Sequence, residues 1–315
     1  MESNHLKDRM EACLFGQAIG DALGLGTEFM SKREIKKKYP DGLKYYNQIV
    51  DDYYRKRWQK GEWTDDTDMM ICVMKGFDGH RFDTGKIACN FKEWYLSNPK
   101  DVGNLTSSIL CMKEYVDKPL YISESVWNLN MRKAAANGAL MRTCVVGLEH
   151  NDYIEDTETI SRLTHFDPRC VGSCVIATSI IHNLVWNNRE LSLDEIIAIG
   201  NRYDEEIEKW VRKAYESSIE DLNLEDVDTM GYTLRSLSAA LWCYFHAKDF
   251  VEGLLKVVNE GGDADTNAAI ACAILGAKFG LKSIPSYYID NLYNYPEYKK
   301  MTDKFISLAI AEESV

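Results

Sequence analysis

Apolar residues along this chain recur mostly at three- and four-residue intervals. Leu6, Met10, Cys13, Leu14 and Ala18 fall on one stripe, the spacing of an amphipathic helix. Residues 69–74 (MMICVM) are apolar all round, which predicts a central, fully enclosed helix. Residues 175–186 read the same way. Leu234, Leu237, Leu241, Tyr244 and Phe245 form another stripe, and residues 268–279 (AAIACAILGAKF) form a small-residue helix able to pack closely. A last helix is expected over 305–311. Segments that alternate apolar and polar residues are almost absent, so the predicted fold class is all-α. With no linker, repeat or break in composition, the whole of 1–315 is expected to form a single compact multi-helix domain.

Composition narrows the possible activities. Of 315 residues, 45% are hydrophobic and 27% charged, as in ordinary globular proteins. The net charge is −12, which disfavours general binding to nucleic acid. The longest charge-free run, 170–188, contains Gly, Ser, Thr, His and Asn. It is expected to be a buried core helix, not a membrane span. The opening residues are polar and charged, with no hydrophobic leader core. Nine cysteines include no C-x-x-C pair, which argues against a zinc cluster or a disulfide framework. Reduced thiols and a cytoplasmic location are expected.

Four polar islands interrupt the apolar helices. Residues 20–28 (GDALGLGTE) carry three glycines that let backbones approach and weaken a helix, with Glu28 at the end. Residues 62–68 (EWTDDTD) and 261–267 (GGDADTN) each place Asp and Thr before an apolar helix. Helix capping alone would explain one such side chain at each place. Adjacent carboxylates repel unless a cation lies between them. Asp65, Asp66, Asp263 and Asp265, with the hydroxyls of Thr64 and Thr266, form an all-oxygen set suited to Mg²⁺, Mn²⁺ or Ca²⁺. A calcium EF-hand is excluded, because Ala268 and Ile274 occupy the positions that need Gly and Glu. The fourth island, 136–142 (ANGALMR), can form a left-handed turn whose N–H groups cradle an anion, with Arg142 adding charge.

In this order the islands resemble the ADP-ribosylglycohydrolase family. The resemblance rests on GDALGLGTEF (20–29), WTDDT (63–67), NGALMR (137–142), LTHFDP (163–168) and GGDADT (261–266), and it spans about 11–280. The family fold is a compact all-α domain. The resemblance implies a site for two divalent metal ions, usually Mg²⁺ or Mn²⁺. Thr64, Asp65 and Asp66 match one ligand group, and Asp263, Asp265 and Thr266 the other. Glu28 matches a glutamate that acts beside the metals. Asn137, Gly138, Met141, Arg142 and His165 match segments lining an ADP-ribose cleft, and Tyr232 matches a tyrosine near the ribose.

One segment points to linkage. Asp101-Val102-Gly103 resembles the D-I-G of the arginine-directed branch, to which the dinitrogenase-reductase-activating glycohydrolases belong. There the aspartate faces the guanidinium of the modified arginine. Asp101 would take that role, with Gly103 beside it. The sequence departs from the family pattern at Ala136, Ala139 and Cys170. The expected activity is hydrolysis of the N-glycosidic bond between ADP-ribose and arginine on a protein, with ADP-ribose as product. The alternatives are hydrolysis of another ADP-ribose linkage (to serine, nucleic acid or a small molecule) and a family member that binds ADP-ribose without turnover. No membrane partner is expected.

Overall fold

The computed structural model describes residues 2–312. All regular elements among them are helical, apart from two isolated bridges, Phe77 with Phe82 and Ala136 with Tyr232. In chain order they are α1 (Glu2–Gly24), α2 (Lys32–Lys38), α3 (Asp65–Met74), α4 (Thr84–Leu96), α5 (Asn104–Leu110), α6 (Pro119–Leu129), α7 (Leu140–Thr143) and α8 (Tyr153–Arg162). There follow α9 (Pro168–Trp186), α10 (Leu193–Gly200), α11 (Glu206–Glu216), α12 (Thr233–His246), α13 (Phe250–Val258), α14 (Ala264–Phe279), α15 (Ser286–Asp290) and α16 (Tyr295–Glu312). The all-α expectation holds.

The centre of the fold is an antiparallel pair, α1 against α14. Gly16, Gly20 and Gly24 recur every fourth residue on α1. They face Cys272, Ala268 and Ala264, which recur at the same interval on α14. A Cβ at Gly20 would overlap the Ala268 carbonyl, and one at Gly24 would lie 2.5 Å from Asp265 Cα. The two backbones therefore touch. The glycines cost helix propensity, roughly 1 kcal/mol each, and the close approach is what they permit. Sequence spacing had suggested that residues 20–28 interrupt the helix. Instead α1 continues to Gly24, and the chain turns only over 25–29.

The other stripes fall where expected. Leu6, Met10, Cys13, Leu14 and Ala18 are all buried on α1. Residues 69–74 are buried throughout, so α3 is the enclosed helix its composition predicted. Most of α9 is also buried. It packs against α8, α10, α12 and α14, so its apolar surface is covered by protein. Local signals set several helix starts. Ser31 with Glu34 and Ser192 with Glu195 form reciprocal capping boxes. Asp167 caps α9 ahead of Pro168.

Candidate active site

The entrances of α3 and α14 meet in one place, although they lie some two hundred residues apart in sequence. Neither is capped by its own side chain. Thr64 and Asp263 occupy the N-cap positions, and neither makes a side-chain cap bond. Capping therefore does not account for the two islands. The first turn of α3 is held instead by Asp21 of α1. One Asp21 oxygen accepts from Thr64 N at 2.9 Å; the other accepts from Thr67 N at 3.0 Å and Thr67 Oγ1 at 2.6 Å. With its cap supplied by Asp21, Thr64 Oγ1 turns to the carboxylates, donating towards Asp66 Oδ2 at 3.0 Å with Asp265 Oδ2 at 3.4 Å.

At α14, Gly261 and Gly262 hold φ of 75° and 66°, a region costly for any residue with a Cβ. This turn pairs with the end of the first island. Phe29 N donates to Gly262 O at 2.7 Å, and Gly262 N donates to Met30 O at 3.0 Å. Glu28 is thereby set beside Asp263 and Asp265. The buried Arg55 completes the fastening, donating to the carbonyls of Leu25, Gly26 and Glu28.

Carboxylate oxygens of Asp21, Asp66 and Asp265 lie within 4.8 Å of one another, as do those of Glu28, Asp263 and Asp265. Asp265 belongs to both triads. Asp65 and Thr266 line the same cavity, of about 510 Å³. Its walls also include Asp101, Gly103, Asn137, Gly138, Met141 and His165. A pocket of this size suits a nucleotide-sized ligand. Asp101 also borders a smaller cavity of about 240 Å³, lined by Trp58, Trp63, Thr64 and Lys100 among others.

Electrostatics mark the cluster as incomplete without cations. Burial pushes the carboxyl of Asp65 up to about 8, with the charge of Asp101 adding to it. Asp66 and Asp265 go well above the carboxylate range, through burial and then neighbouring carboxylates. Glu28 follows the same pattern, and Asp263 is raised by burial. Asp21 rises only to about 6, because its bonds from Thr67 and Thr64 oppose the burial. Two buried oxygens, Asp66 Oδ1 and Asp265 Oδ1, have no hydrogen-bond partner. Orphaned hard oxygens in a repelling acidic cluster are the donor set that divalent cations take up. The residues present therefore fit a metal centre.

Around that centre, Tyr54 ties two expected residues together. Its hydroxyl lies 2.9 Å from Glu28 Oε2 and 2.6 Å from Asp101 Oδ2. The other Asp101 oxygen accepts from Val102 N at 2.9 Å. Asn137 holds the opposite wall, its Nδ2 donating to Asp263 Oδ2 at 2.6 Å and to Ser236 Oγ at 2.8 Å. Its backbone N–H is taken by Gly231 O at 2.9 Å, so it is not one of the free donors expected of an anion cradle.

Two expected cleft residues are elsewhere. Arg142 is fully buried behind the wall and does not line the cavity. It lies over the Phe91 ring at 4.3 Å and donates to Thr164 Oγ1 at 2.6 Å. Burial lowers its guanidinium to about 10, so it stays protonated at neutral pH. The turn sends the Arg142 side chain inward because the short helix α7 packs against α3. Tyr232, at the N-cap of α12, is half-buried outside the cavity lining, its hydroxyl accepting from Arg169 at 3.3 Å. Its neighbours Met230 and Gly231 line the cavity in its place. His165 does reach the cavity, its Nδ1 bonded to Thr164 Oγ1 at 2.7 Å. Burial, and then the Arg142 charge, holds the imidazole well below its ordinary value and therefore neutral.

Sequence reasoning missed Asp21, Tyr54 and Arg55. Asp21 had a legible signal, since it continues the buried stripe of Leu14 and Ala18 at the next helical step. The other two reach the site by hydrogen bonds to residues 26 or more positions away in sequence.

The chain is similar to known proteins over nearly its whole length. An ADP-ribosyl-[dinitrogen reductase] glycohydrolase of Rhodospirillum rubrum is 27% identical over 98% of this chain and 99% of its own. An ADP-ribosylarginine hydrolase of Serratia proteamaculans is 25% identical over 97% of this chain and 81% of its own. A solved structure described as an ADP-ribosylglycohydrolase-related protein complex superposes with a TM-score of 0.77 at 23% identity, covering 97% of this chain and 99% of that one, a likeness of fold. The family model for ADP-ribosylglycohydrolase matches residues 2–314, and the chain belongs to that family.

Proposed function

We propose that this family hydrolase removes ADP-ribose from ADP-ribosylated arginine on a protein, with two bound divalent ions, Mg²⁺ or Mn²⁺. The observation that carries the reading is the position of Asp101, on the wall shared by the two cavities and fixed by Tyr54. Thr64, Asp65 and Asp66 would hold one ion, and Asp263, Asp265 and Thr266 the other. Bound there, the ions would anchor the ribose hydroxyls of the substrate and polarise the sugar.

The remaining steps belong to the side chains. In the larger cavity Asn137, Gly138, Met141 and His165 would enclose the ADP-ribose. Asp101 presents a carboxylate at the junction with the smaller cavity. It would orient the planar guanidinium, which a carboxylate matches bidentately. Glu28, its carboxyl pushed well up by burial and then by the charges of Asp265, Asp263 and Asp101, would hold or release a proton at Oε2 as a cation or substrate enters. Trp58 and Trp63 in the smaller cavity add aromatic faces that suit the same cation. The names of the Serratia and Rhodospirillum relatives support the same substrate class. The nine free thiols suit a reducing compartment, and we place the protein in the cytoplasm, working as one domain.

The test measures ADP-ribose release from arginine-linked and serine-linked substrates, with Mg²⁺, Mn²⁺ or EDTA. Metal-dependent release from arginine alone is expected, lost in Asp101→Asn with ADP-ribose affinity retained. Release from serine alone would overturn the arginine assignment. Tight ADP-ribose binding without release from either would favour a binding protein.

A further inference from the structure

Arg142, a fully buried cation behind the cavity wall, touches no ligand-facing surface. It reaches the cavity through two side chains. Its guanidinium nitrogen donates to Thr164 Oγ1 at 2.6 Å, and the same Oγ1 lies 2.7 Å from His165 Nδ1. All three residues are essentially excluded from solvent. Arginine can only donate, so Thr164 Oγ1 accepts there. A threonine hydroxyl has a single proton, and the remaining short contact of Oγ1 is Nδ1. Oγ1 has a second lone pair for an Nδ1–H, but its own buried proton would then point at no acceptor. With Nδ1 accepting, every group in the chain of contacts is paired. A neutral imidazole with an accepting Nδ1 carries its proton on Nε2. Among the described residues Nε2 has no hydrogen-bond partner. It lies at the cavity wall beside Gly138, where an added Cβ would be 3.0 Å from it.

We propose that Arg142 and Thr164 form a positioning relay that fixes His165 as an Nε2–H donor facing the cavity, so that this wall selects a hydrogen-bond-accepting oxygen of the bound nucleotide. The proposal rests on the reading of the larger cavity as the ADP-ribose site. The relay explains why a fully buried arginine follows the Asn137-Gly138 loop. Its charge disfavours protonation of His165, and its donor bond directs the Thr164 proton. Gly138 leaves the space through which Nε2–H is offered.

Nitrogen-15 NMR of histidine-labelled full-length protein reads the tautomer directly, with the signal missing from His165→Gln supplying the assignment. The wild type should show Nε2 protonated and Nδ1 bare. Thr164→Ser keeps the hydroxyl and should preserve both this signature and the affinity for ADP-ribose measured by calorimetry. Thr164→Val should lose the signature and weaken ADP-ribose binding about tenfold, the value of one hydrogen bond. A wild-type proton on Nδ1 would overturn the relay, even if the valine variant does not fold. So would a folded Thr164→Val with unchanged tautomer and affinity. Neither readout requires turnover. Inactivity on arginine-linked substrate would count against the proposed function and leave the relay standing.

Discussion

The hydroxyl of Tyr54 donates to Asp101 Oδ2 at 2.6 Å while lying 2.9 Å from Glu28 Oε2. One phenol thus joins the carboxylate at the junction of the two cavities to the glutamate beside the acidic cluster. Tyr54 itself does not line the larger cavity. Its ring is held by Phe29, Trp58 and Arg57, so Tyr54→Phe should keep the ring in place and release both carboxylates. A hydrogen bond to a charged group is worth about 1.5–3 kcal/mol. Steady-state kinetics should therefore show kcat lowered by roughly ten- to a hundredfold. The affinity for ADP-ribose should stay near wild type. A fall in affinity with kcat intact would contradict this role.

Asp66→Asn and Asp265→Asn remove a negative charge from a cluster that repels itself. In EDTA these variants should melt at or above the wild-type temperature. The rise in melting temperature on adding Mg²⁺ or Mn²⁺ should be abolished, and turnover with it. A variant that kept both the metal-induced shift and activity would refute the ligand assignment.

The stability of the metal-free protein should depend on pH in an unusual direction. Folded-state carboxyls sit above their ordinary value of 3.8, with Asp65 at about 8 and Asp21 at about 6. The native state therefore holds protons that the unfolded chain has released. Their contribution is complete below about pH 4 and is lost as pH rises towards 8. In EDTA, melting temperature should decline across that window. Added metal should restore it, by more at pH 8 than at pH 5. A metal-induced shift independent of pH would show that these carboxylates do not meet the ion.

Gly24→Ala tests the helix contact beneath the site. The added Cβ would lie 2.5 Å from both Asp265 Cα and the Ala264 carbonyl oxygen, so the α14 entrance must move. Overpacking of this kind costs about 1–3 kcal/mol. Calorimetry should also show weaker metal binding, although Gly24 contributes no side chain. Unchanged metal affinity with lowered stability would separate the contact from the site.

Much of this was legible in sequence because the governing signals are local. The apolar stripes of α1, α3, α12 and α14 specify helices and their buried faces. The Gly261-Gly262 pair announces a left-handed turn, and Asp and Thr before apolar runs announce helix entrances. What spacing does not encode is where a turn aims its side chains. Arg142 follows a loop that lines the cavity, yet α7 packs against α3 and its guanidinium turns into the core. Tyr232 is displaced in the same manner, towards Arg169. Tyr54 acts on a residue 47 positions away. Nothing near it in the chain distinguishes it from the other tyrosines, because its role exists only once α1, α3 and the loop before α5 converge.

The bare backbone contact of α1 with α14 also acts as a gauge. Asp21 rides on α1 and grips the first turn of α3, while Gly24, one turn further on, presses against Asp265. The gap between the two acidic groups is thus set by the thickness of two helices with nothing between them. On the α14 side the spacing is set by backbone alone, and on the α3 side by the three buried hydrogen bonds of Asp21. A family member with a bulkier residue at this contact would have its acidic groups spaced for a different pair of ions, or for none, while every side chain in the site stayed the same.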